Sequence, residues 1–213
     1  MEIFNGLHAF IWQSYTENNC NAYCITGGKN ILIDPGHQHL LGHVDQGLRA
    51  INLSWDAIDV VLITHGHPDH MESAGQLNNR TLLAMNQEEY LFIREIAGRY
   101  FPIPEPDFFL GAGDLAIDGN HFEVLVTPGH SPGSICLYWP DRKALFTGDL
   151  AFAQGIGRTD LPGGSGKQLK ESIKRVAALD VEYLLPGHGS PVIGKKAVQD
   201  NFRIIEEQWF NYL

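Results

Sequence analysis

Thr64-His65-Gly66-His67-Pro68-Asp69-His70 is the most informative stretch of this 213-residue chain, because four side chains that can bind a metal ion fall within six residues. An extended backbone directs the first two histidines to the same side, since residues two apart share one face of a strand. Pro68 suits the first turn of a helix, so Asp69 and His70 should lie on that turn. The stretch therefore predicts a histidine pair at a strand end and an Asp/His pair on the following helix, around one shared space.

Three further residues of metal-binding type occur in the same kind of setting. Active sites of sheet proteins gather at one set of strand ends, on loops that a rigid scaffold holds. Any one of these endings alone is typical of an ordinary loop, whereas all of them together indicate one metal site. Four apolar β-type segments each end in a tight turn that presents a ligand: Val60–Ile63 before His65, Phe122–Val126 before His130, Ala144–Phe146 before Asp149, and Tyr183–Leu185 before His188.

The donor types indicate the ion and its chemistry. Imidazole and carboxylate together suit Zn²⁺, with Fe²⁺ or Mn²⁺ as alternatives. Two such ions about 3.5–4 Å apart can share a hydroxide, lower its pKa towards neutrality and stabilise the oxyanion that forms on attack. Asp149 is the candidate for the carboxylate that bridges both ions. The sequence thus predicts two divalent metal ions as cofactors and a hydrolase that needs no serine or cysteine nucleophile.

The rest of the chain reads as one globular domain, 1–213, because hydrophobic residues make up 44% and charged residues 19%, without a linker or repeat. Strands and helices alternate, which predicts sheets faced by helices of the α/β or α+β class. Further β-type runs are Ala22–Thr26, Ile31–Ile33 and Ile135–Trp139, and a hairpin turn at Gly27–Asn30 joins the first two. Apolar residues recur at helical spacing in residues 86–98, Leu169–Leu179 and Val198–Trp209.

Several function classes are disfavoured by composition. The formal net charge of −10 opposes binding to nucleic acid. No run approaches the ~20 apolar residues of a membrane span, and no secretory signal is visible, so we expect a soluble cytoplasmic protein without a membrane partner. Cys20, Cys24 and Cys136 are an odd number and form no CxxC pair. Free thiols are therefore expected, with a Cys20–Cys24 redox pair as the alternative.

The motif THGHPDH, followed by Gly-His130, Gly-Asp149 and Gly-His188, resembles the metal-binding signature of the metallo-β-lactamase superfamily. The resemblance runs from Asn19 through His188 and includes Ile33-Asp34-Pro35-Gly36, which is similar to an early strand-end motif of that family. It implies an α+β fold, a four-layer αβ/βα sandwich with two mixed sheets inside and helices outside. It also implies a ligand set: His65, His67 and His130 for one ion, Asp69, His70 and His188 for the other, Asp149 as the bridge, and Asp69 and Asp149 as the catalytic carboxylates.

Within the superfamily the chain is most similar to the glyoxalase II branch, the hydroxyacylglutathione hydrolases, in Thr127–Gly133 and Gly148–Arg158. That resemblance implies that Arg158 binds the glycine carboxylate of glutathione, which an arginine can hold by two hydrogen bonds. Two departures are visible. Asp160 stands near a position where the family has an aromatic residue, and it can pair with Arg158. The chain also ends 25 residues after His188, so it resembles the short glyoxalase II-like proteins, whose substrate need not be a glutathione thioester.

The predicted function is accordingly a thioesterase acting on a small S-acyl thiol such as an S-2-hydroxyacylglutathione. A mononuclear-iron persulfide dioxygenase is the first alternative, since those enzymes share the fold and a stretch like Gly157–Asp160. A lactonase or β-lactamase-type hydrolase is the second, whereas the charge opposes a nuclease and the full ligand set opposes a non-enzymatic descendant. The sequence indicates no oligomeric state.

Two local expectations complete the sequence analysis. Residues 154–166 contain five glycines, follow Asp149 and should border the metal site as an adaptable wall. The remaining histidines have no comparable setting. His37 and His39 could bind a metal, but a surface loop is the favoured interpretation; the others are His8, His43 and His121.

Overall fold

Residues 1–14, 16–78 and 80–213 are described by a computed structural model. They form two units, Met1–Leu110 and Gly111–Leu213. Each unit contains one mixed β-sheet together with its own helices. The sequence-based expectation of a single domain over 1–213 stays a prediction.

The first unit contains a seven-stranded sheet in which the strands follow one another in chain order. Neighbours from β1 to β4 are antiparallel, and neighbours from β4 to β7 are parallel. The strands are β1 (Glu2–Phe4), β2 (Leu7–Phe10), β3 (Ala22–Ile25), β4 (Ile31–Ile33), β5 (Val60–Leu62), β6 (Leu82–Met85) and β7 (Phe108–Phe109), and the helices are α1 (Gly42–Ala50), α2 (Pro68–Met71) and α3 (Gln87–Ala97).

Apolar packing explains these elements. All three residues of β5 are buried, as expected for a strand of a parallel sheet that is covered on both faces. Helix α1 buries Val44 and Leu48 in the same apolar cluster as β5. Helix α3 begins where the Asn86 side chain accepts hydrogen bonds from the backbone N–H groups of Glu88 and Glu89, a standard N-cap. This cap fixes the start of the helix that carries a buried glutamate of the candidate site.

The second unit contains a six-stranded sheet of order β15-β14-β11-β10-β9-β8 and a separate β12–β13 hairpin. Its own core lies around Leu145, Leu184, Ile173 and Ile205, where strands and helices bury their apolar sides. The strands are β8 (Gly113–Ile117), β9 (Asn120–Val126), β10 (Ile135–Trp139), β11 (Ala144–Gly148), β12 (Ala151–Phe152), β13 (Gly155–Ile156), β14 (Tyr183–Pro186) and β15 (Val192–Ile193), and the helices are α4 (Gly166–Ala177) and α5 (Lys195–Trp209).

Strand direction in this second sheet determines where its ligand-type residues lie. Strand β10 is antiparallel to both β9 and β11, and β11 is parallel to β14. The strands β9, β11 and β14 therefore all point the same way, and their carboxyl ends meet at one edge of the sheet. The residues that follow these three strands are the ones the sequence analysis selected.

The seven predicted strands and three predicted helices are all present, with ends that differ by three residues at most. The elements that the sequence analysis missed are mostly two to four residues long, such as β7 at Phe108–Phe109. Strands this short contain too little periodicity to be recognised before their pairing partners are known.

The three cysteines form no disulfide bond. Cys20, Cys24 and Cys136 are free and buried, as predicted. Burial raises the pKa of Cys24 and of Cys136 to about 12, so neither is a reactive thiolate at neutral pH.

Among the described residues, no helix has the length and apolar character needed to cross a membrane.

Gly47 in α1 provides a test of this packing. A Cβ atom there would lie 2.4 Å from Cγ of the buried Phe10 ring, so alanine must displace that ring. Alanine is favoured over glycine in a helix by about 1 kcal/mol, but overpacking costs typically about 1–3 kcal/mol. We expect Gly47→Ala to lower the free energy of unfolding by about 1 kcal/mol, measured by urea denaturation.

Gly42, at the start of the same helix, is the matched control, because a Cβ there meets nothing within 4 Å. Gly42→Ala should leave the stability unchanged or raise it slightly. A Gly47→Ala variant as stable as Gly42→Ala would show that Phe10 moves without cost.

Candidate functional site

The histidines of the 64–70 motif lie close together at the end of β5. His65 and His70 are fully buried and His67 is half-buried. His65 Nε2 lies 3.1 Å from His67 Nδ1, and the His65 and His70 ring centroids are 4.1 Å apart. Two nitrogen ligands about 2.0–2.1 Å from one tetrahedral ion lie roughly 3.3 Å apart, so the His65–His67 spacing fits a shared metal ion. Asp69 lies on α2, the helical turn that was predicted to carry it.

The buried carboxylate of Asp34, the residue after β4, orients two of these imidazoles. It accepts hydrogen bonds from the Thr64 backbone N–H at 2.8 Å and from Thr64 Oγ1 at 2.6 Å. His70 Nδ1 lies 2.9 Å from Asp34 Oδ2, and a carboxylate can only accept, so Nδ1 carries the proton and Nε2 carries the lone pair. Thr64 Oγ1, already donating to Asp34, accepts from His65 Nδ1 at 3.1 Å, which fixes His65 in the same tautomer.

A second buried carboxylate supports the backbone of the motif. Glu89 on α3 is 1% exposed and accepts a hydrogen bond from the Gly66 N–H at 2.8 Å. A Cβ at Gly66 would lie 3.0 Å from Cβ of Ile93 and 3.2 Å from Glu89 Oε1, so the close packing of α3 favours glycine between the two histidines. Asn18 donates from Nδ2 to Asp69 Oδ2 at 2.6 Å and thereby orients that carboxylate.

In the second unit, the residues after β9, β11 and β14 also come together. Asp149 Oδ2 lies 3.5 Å from His130 Nε2 and 3.4 Å from His188 Nε2. One carboxylate oxygen thus lies close to two imidazole nitrogens at spacings near the roughly 3.3 Å expected for ligands of one ion. The His130 and Asp149 side chains are 3% and 11% exposed, and the His188 side chain is 26% exposed. This arrangement fits a carboxylate that serves two neighbouring metal positions.

The glycine-rich segment 154–166 contacts this group, as predicted. The carbonyl oxygen of Arg158 lies 2.8 Å from His130 Nδ1, and a carbonyl can only accept, so His130 also carries its lone pair on Nε2. A Cβ at Gly157 would lie 1.8 Å from the Asp149 carbonyl oxygen. Glycine is therefore required there for the segment to approach Asp149 this closely.

The Arg158 side chain forms a bidentate ion pair with Asp160. Arg158 Nε and Nη2 donate to the two Asp160 carboxylate oxygens at 2.8 and 2.7 Å. The hydrogen bond from Arg158 lowers the pKa of Asp160 to about 2, so this carboxyl group is ionised at physiological pH. Both side chains are more than half exposed, so the contact contributes little to stability. The role of Arg158 in binding substrate stays a prediction.

The structure thus brings the predicted residues together in two groups, one in each unit: His65, His67, Asp69 and His70 in the first, and His130, Asp149 and His188 in the second. Their assembly into one centre stays a prediction. The sequence analysis assigned no role to Asp34, Thr64, Asn18 or Glu89. Asp34 could have been found by the signal that identified Asp149, an aspartate directly after a buried strand. Glu89 carries no such signal, because it lies within a helix.

Comparisons with known proteins identify the family. The sequence pattern of the metallo-beta-lactamase superfamily matches residues 15–188, which is most of the chain. The chain belongs to the metallo-β-lactamase superfamily. The predicted α+β fold of that superfamily is confirmed. Since these proteins include metallo-hydrolases, membership supports a metal-dependent hydrolase.

Individual members show how similar the chain is to known proteins. The hydroxyacylglutathione hydrolase GloC of Haemophilus influenzae is 34% identical over 189 residues, which span 82% of this chain and 86% of GloC. The crystal structure of TTHA1623 in a di-iron-bound form is 30% identical with a TM-score of 0.68, over 91% of this chain and 95% of that one. The family protein TTHA1429 of Thermus thermophilus is 22% identical with a TM-score of 0.81, over 96% and 79%, a likeness that shows the fold alone.

Asp34→Asn tests how the first group of ligands is oriented. Asparagine has the same shape, but its Nδ2 donates, so it cannot accept both at the oxygen that bonds to the Thr64 N–H and at the oxygen that bonds to Thr64 Oγ1 and His70 Nδ1. Supporting partners of metal ligands are typically worth about 10–100-fold in metal affinity. We expect Asp34→Asn to weaken metal binding by at least about tenfold, measured by competition with a chromogenic chelator, with the circular dichroism spectrum retained.

Asp45→Asn on the surface of α1, where Asp45 pairs only with Arg49 among the contacts described, is the control and should bind metal like the wild-type protein. Equal metal affinity in Asp34→Asn and wild-type protein would contradict an orienting role for Asp34.

Proposed function

We propose that this protein is a dinuclear metal-dependent thioesterase of the glyoxalase II type, acting on small S-acyl thiols such as S-2-hydroxyacylglutathione. The observation that carries the proposal is the position of Asp149, whose Oδ2 lies within 3.5 Å of the Nε2 atoms of both His130 and His188. A carboxylate that faces two imidazoles in this way suits a bridge between two ions. The similarity to the hydroxyacylglutathione hydrolase GloC supports the thioester as the substrate class.

The ligand assignment follows the residue types and tautomers already described. We assign His65, His67 and His130 to one ion and Asp69, His70 and His188 to the other, with Asp149 contacting both. Imidazoles whose Nδ1–H is held by a carboxylate or carbonyl are oriented for coordination through Nε2, as in His70 and His130. The mixed imidazole and carboxylate donors favour Zn²⁺, and the di-iron form of TTHA1623 makes iron the alternative.

The chemistry divides between the ions and the protein side chains. When bound, the two ions would lower the pKa of a shared water and polarise the thioester carbonyl. Asp69, oriented by Asn18, accepts a proton from the attacking water through its carboxylate. The water oxygen adds to the acyl carbon, the C–S bond breaks, and the proton passes to the departing thiolate. The products are a carboxylic acid and a free thiol.

The Arg158–Asp160 pair sets the expected specificity. A substrate carboxylate that binds Arg158 through Nε and Nη2 must compete with Asp160, which already accepts hydrogen bonds from both of these nitrogens. Binding of a glutathione-type carboxylate is therefore weaker than it would be at an unpaired arginine. We therefore expect the proposed thioesterase to accept acyl thiols other than those of glutathione as well.

Asp149→Ala tests the dinuclear centre. We expect the wild-type protein to retain two metal ions per chain by elemental analysis and to cleave thioesters. The variant should lose at least one ion and its hydrolysis while its circular dichroism spectrum stays unchanged, because each sheet has its own apolar core. Asp141→Ala, on the exposed turn between β10 and β11, is the matched control and should keep both properties.

If the wild-type protein instead contains one iron ion per chain and acts on persulfides but not on thioesters, the thioesterase proposal is wrong and the protein is a dioxygenase. Unfolding of Asp149→Ala would instead indicate a structural metal site.

Arg158→Ala and Asp160→Ala together test carboxylate recognition. If Arg158 binds the substrate carboxylate, Arg158→Ala should raise KM for S-lactoylglutathione about tenfold with little change in kcat, since the contact is equal in the ground and transition states. Asp160→Ala should lower that KM, because it removes the competing carboxylate. An uncharged thioester should be cleaved equally well by all three proteins, and equal losses on both substrates would reject the role.

A further inference from the structure

A second cluster of metal-binding side chains lies in the first unit. His37, His39 and Glu72 each place one donor atom within 4.8 Å of the donor atoms of the other two. His37 and His39 lie at the one-turn 3-10 helix Gln38–Leu40, and Glu72 begins the 3-10 helix Glu72–Gln76. The sequence analysis favoured a surface loop for both histidines, since a carboxylate 33 residues beyond His39 gave no signal.

The backbone on both sides of this cluster is fixed by hydrogen bonds. The Gly36 N–H donates to the His70 carbonyl at 3.1 Å, and the Ser73 N–H donates to the Gly36 carbonyl at 2.8 Å. The His37 N–H donates to Asn19 Oδ1 at 2.9 Å. These contacts hold the segments 36–40 and 70–76 side by side, so the backbone needs little ordering when an ion binds.

The donor geometry is close to that of an ion site. His37 Nδ1 lies 2.9 Å from Glu72 Oε2, and the His37 and His39 ring centroids are 4.8 Å apart. Ligands of one tetrahedral ion lie roughly 3.3–3.5 Å apart. The hydrogen-bonded contact between His37 and Glu72 must therefore lengthen slightly as an ion replaces its proton, and a donor that lies farther away must approach. His39 is exposed and can do so by rotating its ring. The His37 and Glu72 side chains are only 21% and 24% exposed, which limits competition from water.

We propose that His37, His39 and Glu72 bind a further divalent transition-metal ion, with Zn²⁺ as the best fit. Two imidazoles and a carboxylate are donors that Zn²⁺ takes and that Ca²⁺ and Mg²⁺, which prefer all-oxygen sites, do not. The formal net charge of −10 favours cation binding generally. Three protein ligands leave a position for water, and the ion would tie segment 36–40 to segment 72–76. The inference does not rest on the proposed thioesterase function.

Counting the bound ions tests the proposal. The purified protein, with its resident metal ions, is titrated with Zn²⁺, and ions retained after gel filtration are counted by elemental analysis, with affinities from competition with a chromogenic chelator. We expect the wild-type protein to bind one equivalent more than His39→Ala, and the affinity for that equivalent to fall at least about tenfold in His37→Ala and Glu72→Gln. His121→Ala, which removes an exposed histidine on β9, is the matched control and should keep the extra equivalent.

Hydrogen–deuterium exchange provides a second readout. Zn²⁺ should slow exchange in residues 36–40 and 72–76 of the wild-type and His121→Ala proteins but not of His39→Ala. Equal stoichiometry and affinity in wild-type protein and His39→Ala, which changes only an exposed side chain, would overturn the proposal. His65→Ala should lose a resident ion but keep the extra equivalent, so the outcome at this cluster is distinguishable from the outcome at the proposed dinuclear centre.

Discussion

The hydrogen bonds that the buried carboxylate of Asp34 accepts are the interaction on which the first group of predicted ligands depends. Directly, Asp34 holds the Nδ1–H of His70; through the Thr64 hydroxyl, it also determines which nitrogen of His65 carries a proton. A histidine binds a metal through the nitrogen that lacks a proton, so a network that fixes protons also fixes ligands. Burial strengthens this effect, because polar oxygens inside a protein must be satisfied by hydrogen-bond donors.

In the second group of predicted ligands, a backbone carbonyl and not a carboxylate orients the imidazole of His130. His130 donates Nδ1–H to the main-chain carbonyl of Arg158, not to a carboxylate. The carbonyl is in place because Gly157 brings the chain against Asp149, where any side chain would collide with the Asp149 carbonyl. The tautomers of His65 and His70 are therefore preset through a side chain in the first unit, and that of His130 by the backbone in the second.

The sequence predicted the strands that carry ligands and the order of the ligands, because both are local features. A buried strand is recognised in the sequence as a run of apolar residues, and a predicted ligand as a histidine or aspartate in the tight turn that follows. Val60–Ile63 and His65 show both features. The supporting contacts were not predictable in this way. Glu89 reaches Gly66 from a helix 23 residues later in the chain, and only the packing of α3 reveals it. The His37–Glu72 contact likewise spans 35 residues.

Arg158 makes two separate contacts, one through its backbone carbonyl and one through its guanidinium. Its carbonyl oxygen accepts a hydrogen bond from His130. Because this contact involves only the backbone of residue 158, it is retained when Arg158 is replaced by any residue that tolerates the local conformation. Its guanidinium is exposed and paired with Asp160, so its contribution to the surface charge depends on residue 160 as well as 158. In the proposed thioesterase, substitution at either position would therefore alter which thioesters bind without disturbing the imidazole beside Asp149. Such an arrangement would separate the chemistry, which depends on buried contacts, from substrate selection, which would depend on an exposed ion pair.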